Sequence, residues 1–241
     1  MGAHGSRFAA QEPLRLSEAG RRRSELYGRR LGRPLSTQQQ HLVETLLPKI
    51  AVPEGVIDLQ ALFPGATAFA FEVGFGGGEH LAAHASAHPD VGYFGCEPFQ
   101  NGVAKLLTQI DQAKLANVRV HPDDARDMLP RLPMQSLAAV FVMFPDPWPK
   151  VRHHKRRFIQ PSSLDELARV LKLGGELRVA TDHADYARWT LQHLMADSRF
   201  RWTAECAADW RVRPEDWPQT RYEQKALNAG RACVYLRFLR V

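Results

Sequence analysis

The stretch that decides the fold runs from residue 67 to residue 79 and reads Thr-Ala-Phe-Ala-Phe-Glu-Val-Gly-Phe-Gly-Gly-Gly-Glu. Its first part, residues 67–73, has the length and aromatic content of a buried strand. A run of glycines follows, and a helical pattern over residues 79–88 comes next. A buried strand that leads through a glycine loop into a helix is typical of the first unit of an α/β sheet.

Strand and helix patterns continue to alternate along the chain after this stretch. The predicted strands cover residues 67–73, 91–97, 118–121, 137–144, 176–180, 200–206 and 232–239, and the predicted helices cover 38–50, 79–88, 101–115, 161–171 and 184–195. Strands separated by helices pair in parallel. The sequence therefore predicts a doubly wound, Rossmann-like α/β fold: a mostly parallel central sheet, helices on both faces and antiparallel strands at the end.

The chain of 241 residues is basic, with a net charge of +6 and a pI near 9.5. Two segments carry most of this charge: residues 1–50 contain nine Lys or Arg against four Glu, and residues 145–160 contain five against one Asp. Such local patches favour a polyanionic partner. Residues 1–40, which show little hydrophobic periodicity, are predicted to be a flexible basic arm, and residues 41–241 are predicted to form the main domain.

Composition argues against several other classes of protein. The three cysteines are widely spaced and form no CxxC pair, so neither a disulfide framework nor a cysteine zinc site is expected. No apolar stretch approaches the roughly 18 residues that would span a membrane. We therefore expect a cytoplasmic protein that does not bind a membrane, and both a monomer and a homodimer stay open.

The glycine loop predicts the kind of cofactor. Counted from Gly74, the dinucleotide fingerprint expects a sixth-position glycine where Glu79 stands, and a glutamate at the start of a helix would repel a pyrophosphate. The pattern suits a cofactor without phosphates, of which S-adenosylmethionine is the main one. Glu72, Gly74, Gly76 and Gly78 are its predicted contacts.

Two further carboxylates follow successive predicted strands. Glu97 stands 23 residues beyond Gly74, where a carboxylate can accept hydrogen bonds from both ribose hydroxyls of a nucleoside. Asp124 follows the third strand, where it can accept from an adenine amino group. Taken singly, each acid could equally be a solvated residue or a helix cap.

A second informative stretch follows the fourth predicted strand. It reads Pro145-Asp146-Pro147-Trp148-Pro149-Lys150 and is followed, after Val151, by six residues that are all Arg, Lys or His. Proline fixes its own φ and restricts the residue before it, so Asp146 and Trp148 belong to neither helix nor sheet. A stiff acidic and aromatic loop beside a cationic run indicates chemistry next to a polyanion.

Residues 144–150, together with Arg152-His153-His154-Lys155-Arg156-Arg157, resemble the signature of the bacterial tRNA (guanine-N7)-methyltransferases, the TrmB family. Further similar segments are Glu72-Val73-Gly74-Phe75-Gly76, Asn117-Val118-Arg119 to Asp124-Ala125, Ala180-Thr181-Asp182 and Thr220-Arg221-Tyr222-Glu223-Gln224-Lys225. The resemblance covers roughly residues 38–240. It implies a class I S-adenosylmethionine-dependent methyltransferase that methylates N7 of a guanine in the variable loop of tRNA.

The resemblance also implies roles for individual residues. Those implied to contact substrate are Lys150, Asp182, Thr220, Arg221, Tyr222 and Glu223, and those implied to contact RNA are Arg152, His153, His154, Lys155, Arg156 and Arg157. Asp146 is the predicted catalytic residue and lies beside the cofactor. Because N7 carries a lone pair and no proton, we expect Asp146 to orient the base rather than to deprotonate it.

Several alternatives stay open. Trp148 can stack on the base or pack the loop. An enzyme that methylates an exocyclic amine would give a product that resists the alkaline or borohydride cleavage of 7-methylguanosine, and a non-catalytic RNA-binding protein would not bind the cofactor.

Four tryptophans are expected to be core or interface anchors: Trp189, Trp202, Trp210 and Trp217. His80, His84 and His88 share a helix face but spread over two turns, so we expect a polar surface stripe and no metal.

Overall fold

The computed structural model describes Gly28 and residues 30–241. Seven strands form one sheet in the order β3-β2-β1-β4-β5-β7-β6. The strands are β1 (Ala68–Val73), β2 (Val91–Cys96), β3 (Val118–His121), β4 (Leu137–Met143), β5 (Leu171–Thr181), β6 (Phe200–Trp202) and β7 (Val234–Arg240). The first five are parallel, whereas β7 pairs antiparallel with both β5 and β6. The predicted doubly wound, mostly parallel sheet with antiparallel strands at its end is confirmed.

Helices connect the strands. They are α1 (Thr37–Thr45), α2 (Leu47–Ile50), α3 (Leu59–Leu62), α4 (Glu79–Ala87), α5 (Gln100–Ala113), α6 (Ala125–Met128), α7 (Pro161–Val170), α8 (Ala184–Met195), α9 (Ala208–Arg211) and α10 (Arg221–Asn228). Two 3₁₀ turns, Leu129–Arg131 and Val151–Arg156, complete the connections. None of the helices in the described part of the chain combines the length and the apolarity that crossing a bilayer requires.

The central strand β4 is buried on both faces. Val140 and Val142 belong to one apolar cluster, which includes Leu164 and Leu167 of α7, and Phe141 and Met143 belong to the cluster on the other face, which includes residues of α4 and α5. Successive side chains of a strand point to opposite faces, so an almost uninterrupted apolar run is what a strand between two helical layers needs.

The four predicted tryptophan anchors lie in or against these clusters. Trp217 is fully buried, and Trp189, Trp202 and Trp210 are partly buried and pack on the cluster that contains Val140. Their prediction as core residues is confirmed.

Some boundaries differ from the prediction. The helix expected over 38–50 is interrupted at Leu46, since Pro48 lacks the N–H that would continue the helical hydrogen bonds and is tolerated in the first turn of the new helix α2. β5 is longer than expected, because its register with β4 shifts between Leu137 and Ala139 and the glycine pair 174–175 lies within this irregularity. The strand expected over 200–206 ends at Trp202, and the short amphipathic helix α10 was not predicted.

Most of the predicted basic arm, residues 1–27 and residue 29, lies outside the described residues. The described remainder contacts the domain from residue 30 onward: the guanidinium of Arg30 pairs with Asp123 at 2.9 Å, and the carbonyl of Arg30 accepts the N–H of Gln100 at 3.0 Å. The flexible arm stays a prediction.

Candidate active site

The order of the sheet creates a crevice between β1 and β4. These strands are neighbours, and the chain leaves β1 toward β2 on one side and β4 toward β5 on the other. Helices on opposite faces then diverge, so the carboxyl ends of the two strands open onto a crevice that is the usual ligand site of such sheets. The glycine loop follows β1, and residues 145–150, which we call the proline loop, follow β4. The fold therefore brings the two informative stretches of sequence together.

The glycine loop is shaped by left-handed backbone and close packing. Gly74 and Gly76 have φ values of 66° and 57°, which L side chains rarely adopt. A Cβ on Gly76 would lie 2.9 Å from a ring carbon of Tyr222, and the N–H of Gly76 donates to Oε2 of Glu97 at 2.7 Å. Gly102 of α5 packs so closely on the carbonyl of Gly76 that a side chain there would overlap it. The loop therefore offers a cradle at its backbone, closed on one side by Tyr222.

Glu97, directly after β2, is the most perturbed carboxyl group of the site. Its Oε1 accepts the N–H of Phe99 at 2.9 Å. Burial is the main cause that raises its pKa to about 7, and the charge of Asp146 raises it further, whereas the hydrogen bonds from Phe99 and Gly76 and the charge of Arg221 oppose the rise. Hydroxyl donors or a cation placed beside Glu97 would stabilise its ionised form.

Asp124 and Glu72 both have partners within the protein. Asp124 accepts the N–H of Arg126 at 2.8 Å as the cap of α6 and pairs with the guanidinium of Arg126 at 3.1 Å. Glu72 is buried beneath the glycine loop, 2.9 Å from Nδ1 of His80. The contacts of both acids with the cofactor stay predictions. Gly78, the remaining predicted contact, precedes α4 and lies against Leu106.

The prediction of a polar surface stripe of histidines is wrong for His80 and His84, which are buried. His80 binds Glu72, and the ring of His84 stacks on Phe141 at 5.1 Å. Burial first, and then the charge of His80, lower the pKa of His84 to about 3. The apolar face of α4 turns toward the sheet and includes these rings. Among the residues that the structure describes, no group of three or more His, Cys, Asp or Glu is arranged to hold a metal ion.

The proline loop presents Asp146 to the crevice. Its side chain is exposed, and no hydrogen bond or ion pair joins it to any residue within the described ranges. The surrounding protein still displaces enough water to raise the pKa of Asp146. Trp148 packs within the loop, since the guanidinium of Arg156 lies 5.0 Å from its ring centroid and His153 meets it edge-on. Asp146 is thus a carboxylate for which the described part of the chain supplies no hydrogen-bond or ion-pair partner.

Most of the cationic run, residues 152–156, lies in the 3₁₀ turn Val151–Arg156, and Arg157 follows this turn. Arg152 and Lys155 are exposed, and His153 and His154 are half-buried. The expected RNA contact of Arg157 has to be corrected, because the Arg157 side chain is only 1% exposed and its guanidinium is engaged with Asp185. The run therefore offers its surface cations from residues 152–156 alone.

The segment at the start of α10 borders the same crevice. Thr220 caps the helix by accepting the N–H of Glu223 at 3.1 Å. The carboxylate of Glu223 is buried, with Oε1 2.6 Å from the hydroxyl of Tyr235 and 3.1 Å from Nε of Arg213. The guanidinium of Arg221 lies over the ring of Tyr222, 4.8 Å from its centroid.

The remaining two implied substrate contacts lie on the loops after β4 and β5. Lys150 is exposed at the start of the 3₁₀ turn. Asp182 follows β5 and pairs with Arg231 at 2.7 Å.

The sequence alone did not reveal which side chains hold these groups. His80 orients Glu72, Arg126 pairs with Asp124, and Tyr235 supports Glu223. For Arg126 a local signal exists, because an acid followed two residues later by Arg at the start of a helix is a cap with its own counter-ion. Tyr235 lies 12 residues from Glu223 on another element, so only the tertiary structure brings them together.

Comparison with known proteins agrees with this geometry. Residues 66–236 match a family model described as "Putative methyltransferase". The tRNA (guanine-N(7)-)-methyltransferase of Rhodospirillum rubrum is 52% identical over 90% of this chain and 88% of its own length. The enzyme of the same name from Caulobacter vibrioides is 50% identical over 89% of this chain and 94% of its own length.

Solved structures share the fold at low identity. The 16S rRNA methyltransferase KamB superposes with a TM-score of 0.58 at 16% identity, covering 80% of this chain and 99% of its own. A 16S rRNA (adenine(1408)-N(1))-methyltransferase of Catenulisporales acidiphilia, solved with its cosubstrate SAM, gives a TM-score of 0.50 at 14% identity over 73% of this chain and 86% of its own. These likenesses establish a class I methyltransferase fold.

Glu97 predicts a specific dependence of stability on pH. Its folded pKa of about 7 lies above the value near 4.3 of an unfolded chain, so the folded state binds the proton more tightly. The stabilisation from Glu97 is fully present below the pKa that this group has in the unfolded chain, and it is lost as pH rises through 7. We expect the free energy of unfolding of the wild type, relative to Glu97→Gln, to fall by roughly 2 to 3 kcal/mol between pH 5 and pH 8.

Urea unfolding of both proteins across this range measures the difference. Glu54→Gln, which removes an exposed carboxyl group, is the matched control. A constant difference between wild type and Glu97→Gln would show that Glu97 titrates alike in the folded and unfolded states.

Proposed function

The chain belongs to the tRNA (guanine-N(7)-)-methyltransferase family, and we infer that it transfers a methyl group from S-adenosylmethionine to N7 of a guanine in tRNA. The observation that carries this function is the position of Asp146 in a stiff loop, across the crevice from the glycine loop and beside exposed cations. Its carboxylate has no hydrogen-bond or ion-pair partner among Gly28 and residues 30–241. By family resemblance, the target guanine lies in the variable loop.

The residues around the glycine loop fit a cationic nucleoside better than a phosphate. Glu97 and Asp146 are carboxylates close enough for the charge of one to raise the pKa of the other. S-adenosylmethionine, when bound, supplies a methyl group activated by a positively charged sulfur. We assign Gly74 and Gly76 to its backbone contacts, Glu97 to the ribose hydroxyls, and Asp124 and Glu72 to further polar contacts around it. The positive charge would relieve the repulsion between Glu97 and Asp146.

Asp146 orients the guanine. The edge of guanine that carries N7 and O6 offers only acceptors, so a carboxylate is repelled there and binds the N–H donors of the opposite edge. Held in this way, the base presents N7 for in-line attack, and such positioning can supply a large part of the rate. The charge of Asp146 also offsets the cation that develops on the ring. No proton leaves N7, so the reaction needs no general base.

In this proposal, the site that holds the guanine is completed by residues 220–223, by Asp182 after β5 and by Lys150. Arg221 and Tyr222 cover the glycine loop, and Thr220 and Glu223 fix the start of α10. Asp182 and Lys150 stand at the ends of β5 and of the proline loop. The polar groups of Asp182 and Lys150 supply an acceptor and a donor to the base or to the adjoining phosphates.

Replacing Asp146 tests the proposed role. We expect Asp146→Ala to slow single-turnover methyl transfer by about 10²- to 10³-fold, because an electrostatic contact made to the transition state is lost. Asp146→Asn, which keeps the shape but not the charge, should be slowed by a similar factor. The measurement is the amount of 7-methylguanosine in nuclease digests of tRNA.

Glu44→Ala, an exposed carboxylate on α1, is the control that should keep the wild-type rate. Near-normal turnover by Asp146→Ala would remove Asp146 from the reaction. Absence of 7-methylguanosine from the wild-type digest would refute the function itself.

We further propose that Arg152 and Lys155 contact tRNA phosphates. Both are exposed on the 3₁₀ turn that directly follows the proline loop, so a base in the crevice brings its own backbone past them. Phosphate contacts contribute affinity that declines with salt, because bound cations are released.

The double variant Arg152→Ala/Lys155→Ala should bind tRNA more weakly and should flatten the plot of log affinity against log salt by about one unit per lost contact. The rate at saturating tRNA should not change. Lys114→Ala/Lys172→Ala removes the same charge from exposed positions at the opposite end of the sheet and serves as the control. An unchanged slope in the first variant would remove the run from the RNA interface.

A further inference from the structure

Arg157 differs from the cations before it. Its side chain is 1% exposed, although it closes a run of six cationic residues. Nε donates to the carbonyl of Pro147 at 2.9 Å, and Nη2 lies 3.5 Å from the carbonyl of Trp148 and pairs with Asp185 of α8. The guanidinium also lies over the ring of Trp189, 4.8 Å from its centroid. The first two contacts lie within the loop after β4, and the contacts with Asp185 and Trp189 join this loop to α8.

The backbone that Arg157 contacts is in an unfavourable conformation. Phe144 and Trp148, which enclose the segment Pro145–Pro147, have φ values of 52° and 42°. Left-handed conformation is uncommon for bulky residues and costs on the order of 1–3 kcal/mol at each position, so it persists only where surrounding contacts impose it. At the entry, the N–H of Phe144 donates to the carbonyl of Ala180 at 2.8 Å. At the exit, the carbonyls of Pro147 and Trp148 are held by Arg157.

We propose that Arg157 is a positioning residue for methyl transfer, which fixes the left-handed exit of the proline loop and thereby the direction of Asp146. The proposal rests on the proposed function of Asp146. Arginine suits this task because its planar fork donates in several fixed directions at once, whereas the single ammonium group of lysine does not reproduce that geometry.

A second arginine connects the same segment to the cofactor side. Nη1 of Arg126 pairs with Asp124, and Nη2 donates to the carbonyl of Arg156 at 3.1 Å. The backbone before Arg157 is thus tied to the loop after β3. The segments after β3, β4 and β5 are thus connected by side-chain contacts. Within them, Arg157 is the residue that contacts the backbone next to Asp146.

Arg157→Lys tests the proposal. We expect the single-turnover rate at saturating tRNA to fall about tenfold or more, because a small misplacement of a catalytic group costs that much. The KM for tRNA should stay within about twofold and the salt dependence of tRNA binding should not change, since Arg157 does not reach the RNA. Amide hydrogen exchange within residues 144–157 of the free protein should become faster, because the loop opens locally.

The matched control is Arg169→Lys. Arg169 donates to the carbonyls of Leu132 and Leu129 at 2.7 and 2.6 Å and pairs with Glu166, so it has the same chemistry at the other end of the sheet. Arg169→Lys should lose stability but keep the wild-type rate. Arg157→Lys would overturn the proposal if it kept the rate of the control, or if it raised the KM and lowered the salt slope.

Asp185→Asn covers the case in which Arg157→Lys does not fold. The Asp185 side chain is 47% exposed, so its replacement removes the charge without leaving a buried cavity. We expect a smaller loss of rate than in Arg157→Lys, and faster amide exchange in residues 144–157 than in the wild type. Wild-type values of both would overturn the proposal. Hydrogen exchange needs no substrate, so a wild type that made no 7-methylguanosine would refute the proposed function while the anchoring of the loop was still measured separately.

Discussion

The arrangement of this site depends on a short segment of backbone that would not hold its shape alone. The residues 145–147 leave β4 between two aromatic residues, Phe144 and Trp148, that both adopt left-handed φ values. Proline removes donors and limits the alternatives, but the turn needs partners on each side, and it finds them in the carbonyl of Ala180 and the guanidinium of Arg157. Asp146 is directed into the crevice because the two ends of its loop are fixed. The glycine loop, the 3₁₀ turn Val151–Arg156 and α10 lie around that carboxylate.

The charges around the crevice are ordered in layers. Glu97 is buried and Asp146 lies at the mouth of the crevice, and loss of surrounding water raises the pKa values of both. The exposed cations Arg152 and Lys155 lie farther out. Two carboxylates in a shared crevice destabilise the free protein, and in the proposed arrangement a cationic cofactor between the glycine loop and the proline loop would relieve this cost. The outer cations are the proposed contacts of the RNA backbone. In this proposal each ligand therefore meets protein charges of the opposite sign: the cationic nucleoside meets the carboxylates, and the polyanion meets the outer cations.

Much of the fold could be predicted from the sequence, and the reasons for the rest are physical. The bounds of β3 and α8 agree with the prediction, since apolar periodicity and local signals specify them. The glycine and proline loops were identified because special residues shape the backbone locally. His80 and Arg157 were assigned to the surface because each lies in a polar pattern, yet both are buried beside carboxylates. Glu72 is eight positions from His80, and Asp185 is 28 from Arg157, so the burial of each of these two side chains depends on packing between elements that no local pattern reports.

The most direct test of this account is a crystal structure of the protein with tRNA and S-adenosylhomocysteine. We predict that the N–H donors of the target guanine face the carboxylate of Asp146, that N7 points at the sulfur, and that Phe144 and Trp148 keep their left-handed conformation. A structure in which Asp146 faces no donor of the base, or in which an exocyclic amine points at the sulfur, would contradict the role assigned to the proline loop.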